Sequence, residues 1–231
     1  MNKVTGIILL AGNSLRYGEN SNKNLELLNN EYVFLYSLKV FLQNDNIDEI
    51  ILTIRDVDYN FVKGIISKIN LNKDVKLVIG GNSRKESVYH ALLVAKGKYV
   101  VIHDAARPMI KDEYINKCLN ALEIYDGVVT GTKVKDTIKI TNDKGEIVSS
   151  TKRINTWAAA TPQAFKRDLL VILHEKYLND DTITDDSMLL EKDNYKVKII
   201  EGDYVNIKIT TKDDMEYLKT LIKTKEDVWM R

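Results

Sequence analysis

The sequence predicts an α/β fold: a mostly parallel sheet covered by helices on both faces, with a protruding β-hairpin arm. Three observations carry this. Short apolar runs alternate with helical patterns through the first half of the chain. A period-two stretch broken by a turn signal follows. The 231 residues show no repeat, low-complexity tract or clear linker, so residues 1–231 read as one domain that includes an arm at about 136–153.

The elements run in order. Gly6–Ala11 is a buried strand; its apolar core, Ile7 to Ala11, is too short for a signal peptide or a membrane span. Helix Val33–Leu42, strand Glu49–Ile54, helix Phe61–Ile69 and strand Val75–Ile79 follow. Helix Ser87–Ala95, strand Tyr99–Ile102, helix Glu113–Tyr125 and strand Gly127–Val134 continue the alternation. Such βαβ units give a sheet buried on both sides. Asp136–Arg153 alternates at period two around "NDKG", which makes Asn142–Gly145 a hairpin turn. Two strands alone are marginal, so the arm is expected to pack on something, such as a second subunit. Phe165–Tyr177 and Asp185–Glu191 read as helices, and Lys196–Ile200 and Asn206–Ile209 as strands. The closing helix, Lys212–Ile222, can be capped by Thr211, with Asp213 and Asp214 suiting its dipole.

Composition narrows the function. Lys plus Arg (34) nearly cancel Asp plus Glu (33), which implies no bulk nucleic-acid partner. The one cysteine, Cys118, cannot form a disulfide within the chain, which fits a cytoplasmic setting. It shares a helix face with Ile115, Leu119 and Leu122 and reads as a small buried residue. No membrane segment is expected.

Ligands of open parallel sheets bind beyond the carboxyl ends of strands. The loops there carry the chemistry. "LLAGNSLRYGENSNKN" has Gly12, Ser14 and Gly18, which let backbone approach an anion, and two cations, Arg16 and Lys23, to flank phosphates. The competing reading is a solvated surface loop. It is neither a dinucleotide fingerprint nor a Walker A loop. "IGGNSRKES" places Asn82, Arg84 and Ser87 at a helix start, for a base or phosphate, or simply with Ser87 as a cap. "VIHDAARP" offers Asp104 as a Mg²⁺ ligand or as a structural partner of Arg107, and His103 reads as structural. His90 and His174 sit in helical patterns with no catalytic reading. "TPQAF" and "TITDDSMLLE" read as a rigid turn and a helix start, with Asp185 and Asp186 as first-turn acids. Lys208 in "NIKITT" either blunts a strand edge or points into a site. No nucleophile constellation is present; cations, an acid and amide donors suit nucleotidyl transfer.

In this order, "LAGNSLRYG", "GGNSRKESV", "HDAARP", "VKDTIK", "TPQAF", "TDDSMLLE" and "NIKITT" resemble the 2-C-methyl-D-erythritol 4-phosphate cytidylyltransferase family along almost the whole chain. The resemblance implies a Rossmann-like nucleotidyltransferase. It would convert CTP and the sugar-alcohol phosphate to CDP-methylerythritol and pyrophosphate with Mg²⁺, in isoprenoid precursor synthesis. It implies Arg16 and Lys23 at the α-phosphorus, Asp104 on Mg²⁺, and Leu10, Ala11, Gly12, Gly81, Asn82, Arg84 and Ser87 on CTP. Lys208 and Arg153 would position the acceptor phosphate, and Arg107, Thr137, Thr161, Thr184 and Asp185 complete the substrate-binding set. The arm would cross to a partner in a homodimer, carrying Arg153 and Thr137 to the neighbour's site.

The chain departs from the family pattern in places. Leu10 replaces an alanine, Ser14 a glycine, and Asn22 and Asn24 flank Lys23 where proline and glutamine are usual. Asn82 stands where aspartate is common, and Ala160 where glutamine precedes Thr161. The first loop is therefore expected to be mobile until CTP orders it. Three alternatives stay open: a ribitol 5-phosphate or other polyol phosphate cytidylyltransferase, a catalytically weakened nucleotide-binding regulator, and, more distantly, an NAD-dependent oxidoreductase.

Overall fold

The structure is a computed structural model that describes residues 3–12, 17 and 22–229, with side chains as far as Lys223. The expectations for Arg16, Ser14 and the mobility of the first loop lie outside the described residues. Strand β1 (Val4–Leu9) leads through a short β2–β3 ribbon (Leu27–Leu28, Glu31–Tyr32) to α1 (Val33–Gln43). Then come β4 (Glu49–Ile54), α2 (Tyr59–Ile66), β5 (Asp74–Ile79), α3 (Arg84–Val94), β6 (Tyr99–Asp104), α4 (Asp112–Ala121) and β7 (Gly127–Lys133). The arm is β8 (Lys139–Thr141) and β9 (Ile147–Ser150), followed by β10 (Trp157–Lys166), α5 (Arg167–Lys176), α6 (Ser187–Lys192), β11 (Val197–Glu201) and α7 (Lys212–Trp229).

Among the described residues seven strands form the main sheet, in the order β11-β7-β10-β6-β1-β4-β5. All neighbours are parallel except β10, which runs antiparallel to both β6 and β7. The period-two rule divides the core. Ile8, Ile50, Leu52 and Val101 face α1, α2 and α4 through Phe34, Phe41, Val62 and Ile115. Ile7, Ile51, Val100 and Ile102 face α3, α5 and α6 through Val88, Leu92, Leu170 and Leu189. Cys118 is fully buried on the first face, as its helix position predicts. A third cluster seats α7, by Met215, Leu218 and Ile222, against Tyr17, Leu28 and Ala106.

Three sequence expectations are corrected. The helix expected from Phe165 starts at Arg167, because Trp157–Lys166 is a strand. Its alanines and Pro162 hide it: proline cannot donate to a ladder. The strand accommodates this with a register shift between Ala159 and Gln163, so Ala160, Thr161 and Pro162 take no ladder position. Second, Asn206–Ile209 is an irregular segment rather than a strand. Its backbone is satisfied elsewhere: the Ile209 N–H donates to the Ala106 carbonyl at 2.8 Å, and Arg107 donates to the Asn206 carbonyl at 2.9 Å. Lys208 therefore does not guard a strand edge. Third, Ser83 rather than Ser87 caps α3, accepting the Glu86 N–H at 3.1 Å.

The hairpin is where the sequence puts it. Gly145 has φ +79°, a conformation that favours glycine, and Asn142 Oδ1 accepts the Lys144 and Glu146 N–H groups. Ile140, Ile147 and Val148 on the arm are exposed.

Candidate active site

Strands β1 and β6 are neighbours, but the chain leaves β1 for β4 on one side and leaves β6 for β7 on the other. Their carboxyl ends therefore open a crevice at a topological switch point, where ligands of such sheets bind. A cavity of about 320 Å³ lies there, within the usual range for a small-ligand site. Its wall includes Ala11, Gly12, Lys23, Gly81, Asn82, Arg84, Ser87, Asp104 and Lys208. Segments separated by most of the chain thus converge as the loop reading requires.

Asp104 ends β6 and is 7% exposed. Its Oδ2 accepts from Lys208 Nζ at 2.7 Å and its Oδ1 from Arg84 Nε at 3.3 Å, while Arg107 Nε lies 4.0 Å away. Burial alone would raise its pKa, but Arg84, Lys208 and Arg107 outweigh it and hold the carboxyl well below the usual range. Arg84 spans two acids: its Nη1 also donates to Asp186 Oδ2 at 2.8 Å. Burial opposes the guanidinium's charge, and Asp186 and Asp104 overcome it.

Behind Asp104 the hydrogen bonds admit one arrangement. His103 is buried, and burial pulls its pKa down to about 4, so the ring is neutral near pH 7. The Asp104 N–H donates to Thr161 Oγ1 at 3.0 Å. Because the Arg107 carbonyl beside Nε2 can only accept, the neutral ring carries its proton on Nε2 and its Nδ1 accepts the Thr161 hydroxyl proton, also at 3.0 Å. Nε2–H donates to the Arg107 carbonyl at 3.1 Å. His103 is structural, as expected, and it ties the turn after β6 to β10.

The turn after β5 is built for close approach. A Cβ on Gly80 would lie 2.5 Å from Ala11 Cβ, and one on Gly81 would lie 2.3 Å from Glu86 Cβ. Ser87 Oγ accepts the Gly81 N–H at 3.1 Å and donates to the Ser83 carbonyl at 2.9 Å, and Glu86 accepts the Asn82 N–H at 2.7 Å.

Several expected residues sit differently. Leu10 offers no backbone group to the cavity: its N–H donates to the Thr53 carbonyl, and its own carbonyl accepts from Asn22 and Asn24. Thr161 is 3% exposed with its hydroxyl consumed inside the protein, so it supports Asp104 rather than lining the cavity. Thr184 and Asp185 line a smaller neighbouring cavity behind Arg84. Asp185 Oδ1 there accepts the Met188 N–H and the Ser187 hydroxyl, as a helix-start acid does. Thr137 and Arg153 are exposed on the arm and line none of these cavities. Arg107 lines a further cavity of about 350 Å³, whose wall also contains Thr130, Ala158 and Tyr204. Lys208 belongs to the walls of both this cavity and the first.

Sequence reading misses Asp186 as the partner of Arg84. Buried at 2% exposure, it also has His174 Nε2 3.3 Å from its other oxygen. The only local signal is an acid more than one helix start needs.

The family model described as IspD: 2-C-methyl-D-erythritol 4-phosphate cytidylyltransferase matches residues 4–224. The protein of that name from Caldanaerobacter subterraneus subsp. tengcongensis is 37% identical over 216 residues, covering 92% of this chain and 95% of the relative. That from Fusobacterium nucleatum is 39% identical over 221 residues, covering 94% and 96%. The crystal structure of 4-diphosphocytidyl-2C-methyl-D-erythritol synthase from Anaerococcus prevotii superimposes with a TM-score of 0.84 at 32% identity, covering 96% of this chain and 99% of that one. By sequence over nearly its whole length and by the superposition of its fold, the chain belongs to the 2-C-methyl-D-erythritol 4-phosphate cytidylyltransferase family.

Proposed function

We propose that the protein joins CTP and 2-C-methyl-D-erythritol 4-phosphate, giving CDP-methylerythritol and pyrophosphate for isoprenoid precursor synthesis. The observation that carries this reading is the convergence of Lys23, Arg84 and Lys208 with ionised Asp104 on one switch-point cavity. An acceptor phosphate oxygen attacks the α-phosphorus of CTP. The bond from that phosphorus to the β-phosphate oxygen breaks, and its electron pair leaves on pyrophosphate. No enzyme nucleophile is needed, only positive charge fixed where negative charge grows.

Lys23 supplies that charge at the α-phosphorus, with Arg16 expected beside it. The Ala11–Gly12 backbone faces the triphosphate, and Gly81, Asn82, Arg84 and Ser87 hold the nucleotide. Lys208, in the walls of both the switch-point cavity and the cavity at Arg107, seats the acceptor phosphate between them, with Arg107 on the acceptor side.

Among the described residues no three His, Cys, Asp or Glu side chains form a metal cluster. One ionised carboxylate among the described residues of the cavity wall suits Mg²⁺, which takes one or two carboxylates and fills its shell from substrate and water. Asp104 would hold it, and the ion would neutralise charge on the triphosphate.

The exposed apolar residues of the arm support a homodimer, in which Thr137 and Arg153 would serve the neighbouring site. No described helix is long and apolar enough to cross a membrane. With a free, buried cysteine, this supports a cytoplasmic enzyme. Pyrophosphate release from purified protein with CTP, Mg²⁺ and each candidate acceptor tests the reading. Faster turnover of ribitol 5-phosphate would overturn the acceptor assignment.

A further inference from the structure

Asn22 and Asn24 stand on either side of Lys23, and they are 7% and 3% exposed. Both reach the same atom. Asn22 Nδ2 donates to the Leu10 carbonyl at 3.2 Å, and Asn24 Nδ2 donates to it at 3.1 Å. Asn22 Oδ1 accepts the Asn24 N–H at 3.1 Å, which closes the turn around Lys23. The Leu25 N–H returns to the Asn22 carbonyl at 2.8 Å.

This clasp is anchored outward. Asn22 Nδ2 also donates to Asp58 Oδ2 at 2.8 Å. Asp58 is gripped by Arg55 through two bonds, 2.6 Å and 3.0 Å, in the fork geometry that fixes direction as well as distance. Burial would raise the Asp58 pKa, but Arg55 and Asn22 outweigh it and keep the group ionised. Leu10 in turn is fixed to β4 through the Thr53 carbonyl. The backbone on both sides of Lys23 is therefore stitched to the end of β1 and the loop after β4. Asn24 is itself part of the cavity wall, but its amide donor is spent on the Leu10 carbonyl rather than offered to a ligand.

A loop that only connects two elements does not need two buried amides on one carbonyl. A cation that must meet charge appearing in a transition state does need its main chain fixed, because a displacement of about 1 Å costs about a hundredfold in rate. We propose that Asn22 and Asn24 are positioning residues for the transfer, acting through Lys23 by pinning its main chain to the Leu10 carbonyl. The proposal rests on the cytidylyl-transfer reading given above.

Asn24→Asp keeps the shape and replaces the amide donor with a carboxylate oxygen facing the Leu10 carbonyl. Asp58→Asn weakens the outer anchor without touching the inner bonds, and keeps the test open if the first variant does not fold. Steady-state rates, CTP affinity by calorimetry and thermal midpoints are measured on both. Asn24→Asp is expected to lower kcat about ten- to a hundredfold, and Asp58→Asn about threefold, with KM and Kd for CTP within about threefold of the parent. An unchanged kcat with a lower thermal midpoint would make the clasp purely structural and overturn the proposal. A raised KM at unchanged kcat would overturn it too, since the clasp would then shape ground-state binding. Wild-type protein that turns over no polyol phosphate would overturn the functional reading and the proposal together. Turnover by the wild type matched by both variants would overturn the proposal alone.

Discussion

Lys208 Nζ donates to Asp104 Oδ2 at 2.7 Å, across 104 residues of sequence and at the junction of two cavities. The pair is internally neutralised, yet both members face the space where phosphates would lie. Lys208→Ala is expected to lower kcat/KM for the acceptor phosphate by about a hundredfold while CTP affinity changes little, since one fixed cation is worth about that much on developing charge. Asp104 stays ionised in this variant because Arg84 still faces it. Pyrophosphate-release kinetics at saturating CTP, with calorimetry for CTP binding, check both parts.

Lys23→Ala separates an enzyme from a nucleotide-binding regulator. The enzyme reading expects kcat to fall by about 10² to 10³ with a smaller change in CTP affinity. A chain that binds CTP equally well before and after the change, and turns over neither way, is a binding module.

Asp186→Asn removes one of the two acids that hold Arg84. Asp186 is almost wholly buried, and breaking a buried pair is costly because the remaining charge loses its compensation. Urea unfolding at pH 7 is expected to show a loss of about 3 kcal/mol. Arg84 also turns toward Asp104 alone, so KM for CTP is expected to rise.

Glu49 governs part of the acid sensitivity. Burial would raise its pKa, but hydrogen bonds from Lys76, the Lys96 N–H and the Thr5 hydroxyl together hold it below its ordinary value of 4.5. A folded-state pKa below the unfolded one means that the stabilisation is complete above about pH 4.5 and is lost as pH falls through the lower, folded value. Unfolding free energies measured from pH 7 to pH 3 should therefore fall less steeply below 4.5 in Glu49→Gln than in the parent. The substitution itself lowers stability at pH 7.

Arg153 and Lys23 are expected to meet across a dimer. Neither Lys23→Ala nor Arg153→Ala alone should turn over well. Mixed, unfolded and refolded together, they form heterodimers in which one of the two sites contains both native residues. Activity is expected to recover to about a quarter of wild type, from half the dimers with half their sites intact. Failure to recover would place Arg153 outside the neighbour's site.

Much of this protein was decided locally. The alternation of strand and helix runs follows from side-chain periodicity, so β1, β4, β5, β6, β7 and the arm with its Gly145 turn could be read in order, but not the short β2–β3 ribbon. Lys23, Arg84 and Asp104 could be picked out because each lies at the carboxyl end of a strand or in the segment that follows it, where such sheets open. Four features depended on contacts that no window of sequence contains. β10 was hidden because alanines and Pro162 do not favour a strand, and two flanking strands supply the pairing that defines it. Lys208 enters the site from an irregular segment held by Ala106 and Arg107, rather than from a strand edge. Asp186 meets Arg84 across 102 residues, and Asn22 and Asn24 close on the Leu10 carbonyl. Sequence alone determined which groups lie at the ends of the strands. Only the tertiary structure decided which buried polar groups satisfy one another, because a donor taken out of water must find its acceptor wherever packing brings one.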